Sequence, residues 1–386
     1  MIKGQAFLHG ERDGGHAYPL CGAVVMKLAI FGSSLTSAYA NGATTFFQGL
    51  CRALHRQGWE VCFWEETSWP SRRNTRIDWA GGITVRFYHR EEPLSPLLSS
   101  LAPYRVILKF TACGSRDQEI EEGLLARRLP HQILLWVDGD APVLLPPVLQ
   151  DPAHYWWRLV PRFDGVLLLA GGARAGEEYR RLGAQRVYFS ASGVDPHAFA
   201  PQPPDPSWAC DLLFVGNHLP DRMAQVKRLF FAVAEQRRRY RFLLAGAGWK
   251  GVSLPPNVRY PGSIPPAQLP TLYSSARLVL NLTRTGMARY GYAPSSRLFE
   301  AAACGACILT DSWEGLTDYF CPPREIRIVH TPDQVCQLLD RLTPAECQKI
   351  GEAARQRVLR DHTFTQRVRV IEQVVEEIGG LERRTR

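Results

Sequence analysis

The 386-residue sequence has no apolar run long enough to cross a bilayer. Residues 1–25 contain polar, glycine-bearing sequence and no hydrophobic region of signal-peptide length. The expectation is a cytoplasmic protein, with residues 1–25 an N-terminal extension that is poorly ordered or loosely attached. No second C-x-x-C pair accompanies Cys304 and Cys307, so cysteine alone does not assemble a four-ligand zinc site. The ten cysteines lie mostly in apolar segments such as Val61-Cys62-Phe63, as buried reduced thiols do. The formal charge is +9, yet the basic residues are mostly dispersed. The densest groups are Arg237-Arg238-Arg239, at the end of a predicted helix, and Arg383-Arg384 in the tail. Helix ends attract cations through the backbone dipole, so a nucleic-acid partner is not expected. An anionic small molecule suits the charge, and a peripheral contact with an anionic membrane surface stays open. Short glycine loops such as Gly32-Ser33-Ser34 and Gly246-Ala247-Gly248 are weak evidence for a nicotinamide site, and none is expected.

What is present is an ordinary globular composition, 45% hydrophobic and 22% charged, in a chain too long for one core. Two domains are therefore expected. Lys27–Phe31 reads as a short apolar strand, followed by a glycine loop, a helix ending near Gln57 and a second strand at Glu60–Trp64. Strand, loop, helix and strand make a βαβ unit with a parallel sheet. Further strands are predicted at Ile83–Tyr88, Arg105–Phe110, Gln132–Val137, Gly165–Leu169 and Val187–Ser190. The proline-dense run Pro201–Pro206 fits neither sheet nor helix and reads as a linker. The pattern restarts with a strand at Asp211–Gly216, a helix over Asp221–Arg239, and strands at Arg241–Ala245, Leu278–Leu282 and Ile326–Val329. Residues 333–341, 344–361 and 364–379 read as helices. The fold class is α/β, with two Rossmann-like doubly wound domains facing a cleft. The divisions are a first domain over 26–199, a second over 200–363, and residues 364–386 as a returning helix and tail. In such sheets ligands bind beyond the carboxyl ends of the strands.

The most informative stretch runs from Tyr292 to Asp311. Pro294 presets a first helical turn, and Ser295 and Ser296 are placed to cap its free N–H groups. A helix start with open N–H groups and a positive dipole end suits phosphate, and Arg297 adds a planar cation suited to a diphosphate. Glu300, one turn on, can accept hydrogen bonds from sugar hydroxyls. Gly305 ends the helix and lets the chain turn into a strand. A phosphate clamp beside a hydroxyl-binding carboxylate is what a nucleotide sugar requires. A plain helix packed on a sheet, with Glu300 solvated, is the competing reading.

Several segments, in this order and spacing, resemble the GT-B glycosyltransferases, and more narrowly the CgeB-like, spore-maturation-protein group. The resemblance runs from about residue 26 to 379. Phe31-Gly32-Ser33-Ser34-Leu35 through Asn41-Gly42 is similar to a first donor-cleft loop. Val137-Asp138-Gly139-Asp140-Ala141-Pro142-Val143 resembles an Asp-x-Asp-Thr-Pro-Val stretch, with Ala141 in place of threonine. Ala170-Gly171-Gly172 and Ser192-Gly193-Val194-Asp195-Pro196 are similar to later segments of the first domain. Val215–Arg222 and Asn281–Gly305 resemble the donor-binding half.

The resemblance implies transfer of a sugar from a nucleoside diphosphate sugar to an unidentified acceptor, with no cofactor and no metal. UDP is the implied nucleotide, and a hexosyl or related group the implied cargo. Relatives carry two cations in a Val-Gly-Arg-x-x-Pro-Glu-Lys stretch. Here Arg222 falls on the lysine position and Asn217 on the arginine position, so Arg284, Arg289 or Arg297 would compensate. Relatives also carry Glu-x7-Glu. Glu300 matches the second glutamate, the ribose ligand, while Tyr292 occupies the first. The donor site is then expected from Gly32, Asn217, Arg222, Arg284, Ser295, Ser296, Arg297 and Glu300.

Charge builds on the departing diphosphate during transfer, and donors already aimed at it lower the barrier by ~3 kcal/mol each. Arg222 is assigned to that role. Asp140, at the end of a buried strand, is the candidate base on the acceptor; capping the next turn is its competing role. Asp138-Gly139-Asp140 also has the D-x-D spacing of a metal site in the other major transferase fold. Asn41, Asp138, the Tyr155-Trp156-Trp157 run and Glu314 are candidates for acceptor or sugar contacts. The same architecture hosts nucleotide-sugar epimerases and non-catalytic binding or coat-assembly proteins, so the fold alone does not fix the reaction. Oligomeric state is not legible.

Overall fold

The computed structural model describes residues 25–38, 42–68 and 75–384, with side chains to residue 380. The first sheet contains β1 (Lys27–Gly32), β2 (Glu60–Thr67), β3 (Arg76–Trp79), β4 (Ile83–His89), β5 (Val106–Phe110), β6 (Ile133–Asp138), β7 (Gly165–Leu168) and β8 (Val187–Phe189). Their order is β3-β4-β2-β1-β5-β6-β7-β8, parallel throughout except for β3 against β4. The second sheet contains β9 (Cys210–Val215), β10 (Phe242–Ala245), β11 (Val258–Gly262), β12 (Ala276–Asn281), β13 (Ile308–Thr310) and β14 (Arg327–Ile328). Its order is β11-β10-β9-β12-β13-β14, all parallel.

Helices cover both faces of each sheet, which is why the central strands read as unbroken apolar runs. Along β1 the pleat sends Leu28 and Ile30 into one core and Ala29 and Phe31 into the other. Two further cores flank β9 in the same way. Both sequence-silent strands are edges. β3 is mostly exposed and polar, and β11 carries Pro261, which argues against a strand in any position but an edge. The helix predicted over Asp221–Arg239 is present as one continuous run, α-helical at Pro220–Val226, wider and π-type at Lys227–Phe231, and α-helical again at Ala232–Gln236. It stops early because Asn257 Nδ2 donates to the carbonyls of Ala234, Arg237 and Tyr240, satisfying a helix end. The Gly246-Ala247-Gly248 loop extends to Gly251 with G-x-G-x-x-G spacing, but no helix follows it. Trp249 fills that loop and donates its indole N–H to the Gly216 carbonyl at 2.7 Å.

Two strands of chain cross between the sheets. Val194 pairs with Thr363 in an isolated bridge, and Gly193 lies so close that a Cβ there would sit 3.1 Å from the Phe364 nitrogen. Beyond this crossing, helix Phe364–Arg384 leaves the second sheet and buries Val368, Ile371, Val374, Val375 and Ile378 in the core over β1. On another side, helix Thr285–Tyr290 of the second unit docks on helices Ala141–Gln150 and Gly172–Arg181 of the first. Tyr290 enters the first unit's core, donates to Glu178 at 2.8 Å and lies under Arg174 at 4.2 Å. The carboxyl ends of both sheets therefore face one cleft. Among the described residues, no helix is long and apolar enough to cross a membrane.

Candidate active site

The cleft encloses a cavity of about 500 Å³. From the second unit it is lined by Asn217, Arg222, Thr283, Arg284, Ser295, Ser296, Arg297 and Glu300. Thr45, Phe46, Phe110, Cys113 and Asp140 belong to the first unit's wall.

Helix Ser296–Ala303 starts on this cavity. Ser295 holds the N-cap position but makes no capping bond; its hydroxyl donates to Asn281 Oδ1 at 2.7 Å. The capping predicted from the two serines is thus not made, and the first turn keeps its N–H groups without a side-chain cap. Asn281, at the end of β12, also accepts from Arg297 Nη1 at 3.1 Å and donates to Thr310 Oγ1 at 3.0 Å. The sequence placed Asn281 only at the start of a segment resembling the donor-binding half and assigned it no role; its signal was an amide at the end of the apolar run Leu278–Leu280. Asn281→Ala is expected to free the Arg297 side chain and weaken nucleoside diphosphate binding about tenfold, the worth of one hydrogen bond to a charged group. Calorimetry with UDP checks this; unchanged affinity would mean Arg297 needs no such brace.

Arg222 and Arg297 flank the Phe214 ring, with their guanidinium carbons 5.3 and 5.6 Å from its centroid. Arg222 is 6% exposed, and its Nη2 donates to the Asn217 carbonyl at 2.6 Å. Neither Arg222 nor Arg297 has a carboxylate within salt-bridge distance among the described residues. The Nε atoms of both are buried without a partner. Burial, then the neighbouring Arg297 charge, push the Arg222 pKa down to about 9. Two desolvated cations that face one cavity unpaired form a site that an anion would complete.

Glu300 lies one turn along, 5% exposed, and accepts from the Tyr273 hydroxyl at 3.2 Å. Burial pushes its carboxyl up, opposed by a hydrogen bond from Thr45 of the first unit, by the Arg297 charge and by Tyr273. The carboxylate is thus poised between the two sheets.

Residues 222–373 match a family model described as glycosyl transferase-like. The spore protein CgeB of Bacillus subtilis is 25% identical over 224 residues, spanning 51% of this chain and 68% of that one. The chain carries a glycosyl transferase-like domain, resembles CgeB and has the GT-B fold. Solved structures show the same fold at low identity. A sucrose-phosphate synthase from Thermosynechococcus elongatus superposes with a TM-score of 0.62 at 16% identity, over 93% of this chain and 99% of its own. Anabaena HepE in complex with UDP-glucose gives 0.63 at 12%, over 92% and 100%. An alpha-glucosyltransferase in complex with UDP gives 0.68 at 11%, over 91% and 99%.

Other predicted positions fall differently. Arg284 is paired, with Nε 2.8 Å from Asp221 and Nη1 3.2 Å from Asp140 across the cleft. Asp140 begins helix Ala141–Gln150 without capping it and keeps a half-exposed side chain on the cavity. Asn217 lines the cavity, while its Oδ1 accepts from the Ala247 N–H at 2.9 Å.

Asp138, by contrast, does not face the cleft. It is fully buried, accepting from Tyr179 at 2.6 Å, Thr111 at 3.0 Å and the Asp140 N–H at 2.9 Å, and burial pushes its pKa up to about 6. Its predicted sugar contact is replaced by bracing the turn that presents Asp140. Gly32 is a packing glycine: a Cβ there would lie 2.6 Å from Phe63 and 2.7 Å from Phe47, and Ser33 reaches the cavity instead. Trp156 is core, set edge-on to Trp136 at 5.0 Å, and Tyr155 lines a separate surface depression with His154 and Trp157. Helix Trp156–Leu159 packs on the sheet face, so the aromatic run never reaches the cleft. Glu314 is exposed outside the cavity lining, and its carbonyl accepts the Tyr292 N–H at 2.7 Å. Tyr292 itself adopts φ +45° and packs its ring between Gly172 and Gly315, as a contact between the units. Asn41 lies outside the described residues.

Proposed function

We propose that this protein transfers a hexosyl or related group from a uridine diphosphate sugar to an acceptor hydroxyl, without a resident metal. The observation that carries the reading is the convergence of Arg222, Arg297 and an uncapped helix start on one cavity, with both cations unpaired. The C1–O bond to the diphosphate breaks, its electron pair leaves with the phosphate, and an oxocarbenium-like sugar is trapped by the acceptor oxygen. The guanidinium groups and helix N–H groups meet the developing charge without reorganising. Guanidinium groups thereby take the place that a divalent cation holds on the diphosphate in metal-dependent transferases. Asp138, which a D-x-D metal site would require, already has three hydrogen-bond donors. Glu300 accepts the ribose hydroxyls. Asp140 takes the acceptor's proton from the first unit's side of the cleft. The largely buried free cysteines suit a reducing, cytoplasmic setting.

A thermal-shift screen tests this reading. UDP and UDP-sugars should raise the melting temperature equally with and without a strong chelator, by about 2.7 kcal/mol of added stability at a hundredfold excess over Kd. Free sugars should not. No shift with any nucleoside diphosphate, metal present or absent, would reject the donor site.

A further inference from the structure

Among the described residues, three guanidinium groups line the cleft cavity, and they are not equivalent. Arg222 and Arg297 stand unpaired, whereas Arg284 is neutralised by Asp221 and, across the cleft, by Asp140. All three line the same cavity, and Arg284 lies close enough for its charge to act on Arg222. We infer that Arg284 is the cation reserved for the leaving group: it leaves Asp140 for the diphosphate only as the sugar bond breaks. This rests on the nucleoside diphosphate sugar proposed above.

The argument is one of charge. A diphosphate esterified at both ends carries about −2 near neutral pH, and the free nucleoside diphosphate approaches about −3, because its terminal phosphate gains a second ionisation with a pKa near 6. Arg222 and Arg297 balance the first state. Breaking the C1–O bond delivers one more electron pair to the terminal phosphate, and that added charge has no unpaired cation left among the three. Arg284 is the one that can be drawn over, because its Asp140 contact is longer than its Asp221 contact and is half-exposed. Its departure also strips the counter-ion from Asp140, so the carboxylate that takes the acceptor's proton becomes a stronger base at the step that needs it. An interaction stronger in the transition state than in the bound donor lowers the barrier and leaves donor affinity alone.

Binding measurements separate this from a structural bridge. By calorimetry, Arg284→Ala should weaken UDP about tenfold or more, the worth of a charge-assisted hydrogen bond, while leaving UDP-glucose nearly unchanged. Asp140→Ala breaks the same cross-cleft bridge but frees the cation, so it should tighten UDP severalfold. A bridge that merely held the units together would make both variants weaken UDP, and that result overturns the inference. Equal weakening of UDP and UDP-glucose by Arg284→Ala would overturn it too, since Arg284 would then hold the ground state. So would no effect on either. Failure of the unsubstituted protein to bind UDP or UDP-glucose would instead sink the donor assignment, and this inference with it.

Discussion

Arg222→Ala should lower kcat/KM about a hundredfold or more, with at least as much of the loss in kcat as in KM. Removing one preorganised donor at a developing anion costs about 3 kcal/mol when the site is dry and rigid. Arg222 meets both conditions. It is 6% exposed, braced by the Asn217 carbonyl and stacked over Phe214. Its charge is held against burial and against the neighbouring Arg297, a repulsion that an anion between the two cations relieves. The relief grows as charge moves onto the leaving phosphate, which is why turnover should suffer. Arg222→Lys should recover part of the rate, because the charge returns without the planar fork. Steady-state release of UDP from UDP-glucose measures both. A variant altered only in KM would show that Arg222 holds donor and transition state alike.

Glu300→Ala should cut nucleoside diphosphate affinity by about tenfold to a hundredfold, the loss of hydrogen bonds to a charged acceptor. Its pH dependence is the sharper readout. Burial raises the Glu300 pKa, so on acidification the carboxyl takes up its proton earlier than an ordinary glutamate would. Once protonated, it loses acceptor strength for the ribose hydroxyls and its attraction for Arg297. Affinity should therefore be full above the raised pKa and fall as pH drops through it, beginning above the usual carboxylate range. Glu300→Gln should flatten that limb while keeping the shape of the site. Calorimetric titrations of UDP across pH 4.5–8 check it, the range following from the ordinary glutamate value of ~4.3. An unchanged acid limb in Glu300→Gln would assign the titration elsewhere.

The open helix start was legible because local rules make it. Pro294 and the apolar face of the next turn fix a helix start, and helix starts expose N–H groups whatever surrounds them. Its serines misled for a related reason. A serine at an N-cap is expected to turn inward to the backbone, but the Asn281 amide from another strand accepts the Ser295 hydroxyl instead. Asp138 and Asp140 show the same limit two residues apart. Both close β6 in sequence, yet Tyr179 from a following helix claims one, and the other turns out to meet Arg284. The Tyr155–Trp157 run failed because composition reports that rings will bury, not against what.

The sequence alone determined two parallel-sheet α/β units and an open helix start after Pro294. These follow from short-range periodicity, backbone restriction and hydrogen-bond inventory, which act within a few residues. Only the tertiary structure decided which cations stand bare and which are matched. Arg222, Arg284 and Arg297 look alike as letters, and their charges differ in effect because partners from positions 140, 221 and 281 either reach them or do not. Electrostatic energy depends on distance and burial in space, and separation along the chain carries neither.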